Sequence, residues 1–429
     1  MEPNKDSATD RALPALRRNL EVMPIQHEGK PMFMIQDMEG ICAKPVVMSA
    51  GSILIASLLT GTATATEIRS LFTKHTGNIL GDAEIKKLVK DLDDLQLLET
   101  PKVQAKRKKI LEDFMAGSTR KAMLKGIMYP ENTIELSSYM GKFLQDPKGP
   151  KKPLAEKAIH DKAPLGLISP HIDISRGGPV YAWAYQALSE YKPPDTIIAL
   201  GVAHTAPNSP WAMTTKSYET PFGPMETDQE LYAEIEKTLW YDPKDDEWTH
   251  RQEHSLELQA LWLKFLWKDK APKWVPILCS AFERFCPDKS PSTVPTVEGA
   301  IKKISAILEK RTQAGQNIMV LAAVDLAHVG PRFGDQAQGV QDKIAKIEAE
   351  DRKSMDHVTR LEPDEFYLSA AKDQHWRRVC GLSALYTSIR LIKALNNNKA
   401  AQGKVLAYGQ AADPMGGAVS MASAIITKS

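Results

Sequence analysis

The feature that most limits what this chain can become is an event repeated after Pro164. A short, uncharged, β-rich run ends, and an imidazole or a carboxylate follows. "LGLIS" (Leu165–Ser169) leads through Pro170 to His171. "TIIALGV" (Thr196–Val202) leads to His204. "IMVLAAV" (Ile318–Val324) ends at Asp325, with His328 three residues on. "KWVPILCSAF" and "KVLAYGQAA" are further runs of this type. Helical patterns such as "VYAWAYQALSEY", "SLELQALWLKFLW" and "VEGAIKKISAILEK" lie between them. Apolar strands alternating with helices specify an α/β fold, a largely parallel or mixed sheet covered by helices on both faces. Ligands of such sheets gather beyond the carboxyl ends of the strands. One histidine at a strand end is usually a hydrogen-bonded structural group. Three strand ends each delivering a donor are hard to explain as core packing.

Two other places add chemistry. Glu253 and His254 stand at a helix start in "QEHSLELQ". Cys380 precedes Gly381 and a helix in "RRVCGLSAL", where the helix dipole favours a thiolate. Two imidazoles plus a third donor suit a transition metal. If the third donor is Cys380, the set favours iron, copper or zinc over magnesium or calcium; if it is Asp325 or Glu253, it points to Fe(II). The remaining histidines and acids then orient ligands or move protons. Cys279 and Cys286 read as small buried apolar groups. In the loop after His171, Arg176 offers a planar fork for a ligand carboxylate or phosphate, or else pairs with Asp173 to brace the loop.

A chain of 429 residues has room for two domains. We expect a small α+β, winged-helix-like domain over 1–100, a linker helix over 101–118 and the α/β domain over 119–429. In the first, "PMFMIQDMEGICAKPVVMS" reads as two short strands around Glu39-Gly40. "AGSILIASLL" reads as a short helix ended by Gly61. A Thr cap ahead of Glu67 opens a second helix. Asp82 is expected to cap a third, with Ile85, Leu88, Val89, Leu92 and Leu95 on one face. The uncharged stretch 45–66 is about as long as a membrane span but is broken throughout by Ser, Thr and Gly, which favours a short buried helix. The basic clusters "KRKK" (Lys106–Lys109) and "KGPKKP" (Lys148–Pro153) read as solvated linker or loop. A net charge of +2 gives no sign of a nucleic-acid or membrane surface. The helix at Ala83–Leu97, with as much acid as base, is a poor major-groove reader. Four cysteines without a Cys-x-x-Cys pair, and an N-terminus without an apolar run, lead us to expect a cytoplasmic protein.

From about Arg120 onward the chain resembles the Memo family, in the branch called AmmeMemoRadiSam system protein B. The strings that carry this, in order, are "RKAMLKGIMYP", "ISPHIDISRGGP", "LGVAHT", "YETPFGPMETD", "QEHSLELQ", "VDLAHVGPRFG" and "VCG". The resemblance implies a fold similar to class III extradiol dioxygenases. It also implies a metal set of His171, His204 and Cys380, with Asp325, His328, Glu253 and His254 lining the same pocket as candidate catalytic groups. Fe(II) or copper is the implied cofactor, with zinc less favoured, and the implied chemistry is redox. Those dioxygenases carry a carboxylate where Cys380 stands, so ring cleavage does not follow. Many family members have aromatic residues where this chain has Asp173 and Arg176, which implies a more polar, charge-reading pocket with these two as substrate-binding groups. The front domain resembles the PqqD type in its "D-x-x-G" turn, its "LLTG" and its terminal helix. The branch name implies a radical-SAM protein and an AMMECR1-type protein as partners, and a small-molecule or peptide ligand. The expected activity is that of a metal-dependent oxidoreductase. The alternatives are a non-catalytic binding module and a zinc-dependent hydrolase.

Overall fold

Apolar residues at strand and helix spacings build two units, one ending at Ala116 and one running from Gly117 to Ser429. The computed structural model describes residues 11–429 apart from Met38, Ala43, Ala206, Phe285, Pro287, Asp288 and the side chain of Asp373.

The first unit opens with an antiparallel sheet of β1 (Leu20–His27), β2 (Lys30–Asp37) and β3 (Val46–Met48), in that order. β1 carries Pro24 and lacks strict apolar–polar alternation, with Val22 to Ile25 all apolar, so the sequence does not announce it. It lies at the edge of the sheet, where a missing N–H is tolerated. Four helices follow: α1 (Ala50–Ser57), α2 (Ala65–Thr76), α3 (Asp82–Asp94) and α4 (Pro101–Ala116). Thr64 and Glu67 form a reciprocal capping box on α2. On α3 the cap is Gly81 rather than Asp82, because Glu84 takes the Gly81 N–H and Asp82 is already helical. Leu95 falls just past the end of α3 and is 42% exposed rather than part of its inner face. The "KRKK" cluster is no solvated loop. It lies on α4, where Lys106 donates to the Ile41 carbonyl at 2.8 Å and Arg107 bonds both Glu39 and Glu99. Buried Arg17 bonds Asp37 at 2.5 Å and Glu39 at 2.6 Å.

The second unit contains, in chain order, β4 (Thr119–Arg120), α5 (Thr133–Gln145), β5 (Gly166–Ser169), α6 (Ile174–Ser189), β6 (Thr196–Val202), β7 (Trp211–Met213), β8 (Ser217–Tyr218), α7 (Gln229–Glu236), α8 (His254–Trp267) and β9 (Lys273–Cys279). It continues with α9 (Pro295–Gln313), β10 (Ile318–Ala323), β11 (His328–Val329), α10 (Val340–Thr359), α11 (Pro363–His375), α12 (Leu382–Leu395), β12 (Ala401–Asp413) and β13 (Gly417–Lys428). The main sheet runs β11-β13-β5-β10-β6-β9-β7, with β12 paired to β13. β5, β10, β6 and β9 are parallel to one another, while β13 and β7 join them antiparallel, so the sheet is mixed. "KVLAYGQAA" is part of a long antiparallel hairpin, β12 with β13, and not a further strand–helix repeat. Burial on both faces explains why the central strands read as unbroken apolar runs. On β10, Ile318, Val320 and Ala322 pack with α9 and α12 residues such as Ile301 and Leu385. Met319, Leu321 and Ala323 pack with α6 and α8 residues such as Tyr181 and Trp262. Among the described residues, no helix is long and apolar enough to cross a membrane.

Candidate metal centre

β10 lies between β5 and β6, and all three point the same way. Their ends therefore set His171, Asp325 and His204 side by side. The His171 backbone N–H donates to the Asp325 carboxylate at 3.0 Å, and its Nδ1 lies 2.9 Å from the Ala323 carbonyl. A carbonyl oxygen only accepts, so Nδ1 carries the proton and Nε2 has a free lone pair. The His204 Nδ1 is tied by another route. Its backbone N–H and its Nδ1 both meet the Glu253 carboxylate, at 2.8 and 3.0 Å. Cys380 Sγ sits 3.4 Å from His171 Nε2. One donor atom from each of His171, His204 and Cys380 falls within 4.8 Å of the others, and His204, Glu253 and His254 meet the same test. The rings of His204 and His254 stack at 4.7 Å, and His171 stands edge-on to both. His328 directs Nδ1 to the Leu326 carbonyl at 3.1 Å. The sequence-derived residues His171, His204, Glu253, His254, Asp325, His328 and Cys380 are thus gathered at the carboxyl-end rim of the sheet.

Burial sets the protonation of this group. It pushes His171 down to about 3, and His254 and His328 down to about 4, against the opposing pull of Glu253 and Asp325. These imidazoles are neutral at pH 7, the form that ligates metal. His204 differs. Burial again disfavours its charge, but Glu253 and Cys380 outweigh burial and hold it above its ordinary value. Burial works against the Glu253 charge as well, and His204 holds that carboxyl below its usual range. Burial raises Asp325. It also raises the Cys380 thiol, against His204 beside it. Desolvation at the half-buried Cys380 thus works against the α12 dipole that favours its thiolate.

The family model for Memo-like proteins matches residues 120–425. The chain belongs to the Memo-like family. It is 27% identical over 376 residues to a MEMO1 family protein of Aquifex aeolicus, covering 88% of this chain and 90% of that one. It is 28% identical over 272 residues to one of Thermus thermophilus, covering 63% of this chain and 73% of the relative. It is also 28% identical over 252 residues to one of Methanopyrus kandleri, covering 58% and 78%.

The Memo strings are more than ligand carriers. In "QEHSLELQ", Ser255 Oγ donates to the Val202 carbonyl at 3.0 Å, and Gln259 Nε2 donates to the Pro170 carbonyl at 2.7 Å. These bonds pin α8 to the ends of β6 and β5. Buried Glu257 pairs with buried Arg120. On the far side, buried Arg377 bonds Asp351 at 2.7 Å and its carbonyl accepts the His328 N–H. Sequence reading missed these supports because a buried arginine is written like its exposed neighbour Lys121. Asp173 and Arg176 bond each other at 2.5 Å, and Asp173 also caps α6, so the loop-bracing arrangement is the one present. A cavity of about 310 Å³ lined by His160, Tyr191, Thr312 and Lys428 lies at the other end of the sheet, where β5, β6 and β10 begin.

Proposed function

We propose that the Memo-like domain holds one transition-metal ion on His171, His204 and Cys380, iron or copper rather than zinc, and acts as a metal-dependent oxidoreductase. The observation that carries this reading is the convergence of the three donors, with both imidazole Nδ1 protons taken by fixed acceptors so that both Nε2 atoms face one point. Two imidazoles and a thiolate form a soft to borderline set that fits such an ion and leaves positions open for a ligand. When bound, the ion supplies electron exchange and Lewis acidity. The protein's own groups do the rest. His171, Asp325 and Glu253 form a floor that excludes water, while His204 and His254 stand on the accessible side. His254 and His328, neutral at pH 7, accept a proton from a bound ligand and return it. Asp325 orients His171 through its N–H. A ligand carboxylate or phosphate reaches Arg176 by displacing Asp173.

The finer placement rests on the sequence strings and on the small α+β unit ahead of the Memo-like domain. We place the chain in the AmmeMemoRadiSam branch, in the cytoplasm, acting beside a radical-SAM protein and an AMMECR1-type protein. Its first unit serves as the PqqD-like module that receives a peptide or partner. The test is metal content by mass spectrometry, on protein purified anaerobically beside a His171→Ala/His204→Ala variant. Stoichiometric iron or copper lost in the variant is expected. Zinc in its place would shift the reading to hydrolysis, and no metal in either protein would shift it to a binding module.

A further inference from the structure

The ring of His204 is set by a chain of contacts that begins at Arg120, 84 positions earlier in the sequence. Arg120 has no exposed surface. Its Nε donates to the His250 carbonyl at 2.9 Å, and its Nη2 donates to the Glu253 carbonyl at 2.9 Å. Its Nη1 donates to the Lys121 carbonyl at 2.7 Å and also meets Glu257. The Tyr218 ring lies 5.0 Å from the guanidinium carbon. Glu257 is saturated in turn, by the N–H groups of Met123 and Leu124 and by the Tyr129 hydroxyl at 2.6 Å. The guanidinium therefore ties the segment before α8 at two carbonyls three residues apart, and the second of these belongs to Glu253.

We infer that Arg120 is a positioning residue for His204. By fixing the Glu253 backbone it fixes the carboxylate that holds the His204 Nδ1 proton, and so turns Nε2 toward His171 and Cys380. A buried ion pair is weak grounds for stability, since a well-packed apolar pair often replaces it without loss. What arginine provides here is a rigid fork with several donors in one plane. A lysine ammonium is a single point charge that satisfies Glu257 but cannot span both carbonyls. The other half of the cluster is held separately. Arg377, bound to Asp351 and Ser354, accepts the His328 N–H on its own carbonyl, three residues before Cys380. A change at Arg120 is therefore felt at His204 and not at Cys380.

This inference uses the metal-site reading only for what Nε2 does; the orientation of the ring is tested without metal. On the full chain labelled with ¹⁵N-histidine and stripped of metal, nitrogen-correlated NMR of the wild type is expected to show the His204 Nδ1–H held in a hydrogen bond to a carboxylate. In Arg120→Lys that Nδ1–H signal is expected to weaken and shift as the bond loosens, while His171 is unchanged. Co(II) affinity is expected to fall by about tenfold, with the cobalt–thiolate absorption retained at saturation. Glu257→Gln, which leaves the arginine its carbonyl partners, is expected to lower the melting temperature but keep the His204 Nδ1–H signal. If Arg120→Lys does not fold, the double variant Arg120→Met/Glu257→Leu removes the fork without leaving an unpaired charge and gives the same readout. Folded variants with a lower melting temperature and a wild-type His204 signal would overturn the inference. If the wild type binds no metal yet the His204 Nδ1–H signal responds as described, the positioning role stands and the metal reading falls.

Discussion

His171 and His204 present the same nitrogen to one point, but their supports differ in kind. The Nδ1 proton of His171 goes to a backbone carbonyl that no substitution removes, whereas that of His204 goes to the Glu253 carboxylate. A charged acceptor makes the stronger bond and raises the basicity of the ligand. Glu253→Gln is therefore expected to weaken metal binding by about 10–100-fold, measured by chelator competition with Co(II). An unchanged affinity would show that Glu253 does not tune His204. His171, His204 and Asp325 could be picked out of the sequence because apolar runs stop at them. The role of Glu253 could not, because the residue it serves lies 49 positions away on another element. Asp173 and Arg176 left two readings open, since an acid and a base three apart at a helix start serve a ligand or each other. The structure shows them bonded to each other.

At the scale of elements, two close approaches seat the donors, and each passes over a glycine. A Cβ on Gly201 of β6 would lie 2.6 Å from Ser255 Oγ and 2.7 Å from Leu256 Cγ, so β6 runs against the start of α8 at backbone distance. A Cβ on Gly381 would lie 2.5 Å from Val324 Cβ and 2.9 Å from the Asp325 carbonyl, so α12 begins directly on the end of β10. Gly381→Ala is expected to force these two elements apart, costing roughly 1–3 kcal/mol and shifting Cys380 away from His171. The readout is a lower melting temperature together with a lost or shifted cobalt–thiolate absorption. A normal absorption band in a destabilised variant would show that Cys380 is placed by something else. The central strands were legible as short unbroken apolar runs, and the helices α6, α8 and α9 by the length and spacing of their apolar residues. The β12–β13 hairpin was not. An apolar run looks the same whether its neighbour is parallel or antiparallel, and the neighbour is chosen by the rest of the fold.

Across the whole molecule, the two units differ in how acid reaches them. In the second unit His250 is fully buried, with its Nε2 3.0 Å from the Ala212 carbonyl and its Nδ1 accepting the Tyr218 hydroxyl at 2.7 Å. Burial pushes it down to about 3. An unfolded histidine takes its proton near pH 6.5, so below that pH the unfolded chain binds the extra proton and stability falls with pH. For His250 the loss is about 2 kcal/mol between pH 7 and pH 5. In the first unit, burial raises Asp37 and Glu39, but Arg17 and Arg107 outweigh it and hold both below the usual carboxylate range; Arg107 does the same to Glu99. Their contribution is complete above about pH 4 and is lost as the pH falls through the lower folded values. The second unit should therefore yield to acid first. All 8 tryptophans lie in it, so tryptophan fluorescence reports that unit alone while far-ultraviolet circular dichroism sees both. An acid titration is expected to show the fluorescence transition at higher pH than the loss of the remaining helical signal. His250→Gln, which keeps a neutral donor and acceptor, is expected to flatten the stability slope between pH 5 and pH 7. Coincident transitions, with the slope unchanged in His250→Gln, would mean that acid acts on the molecule through other groups.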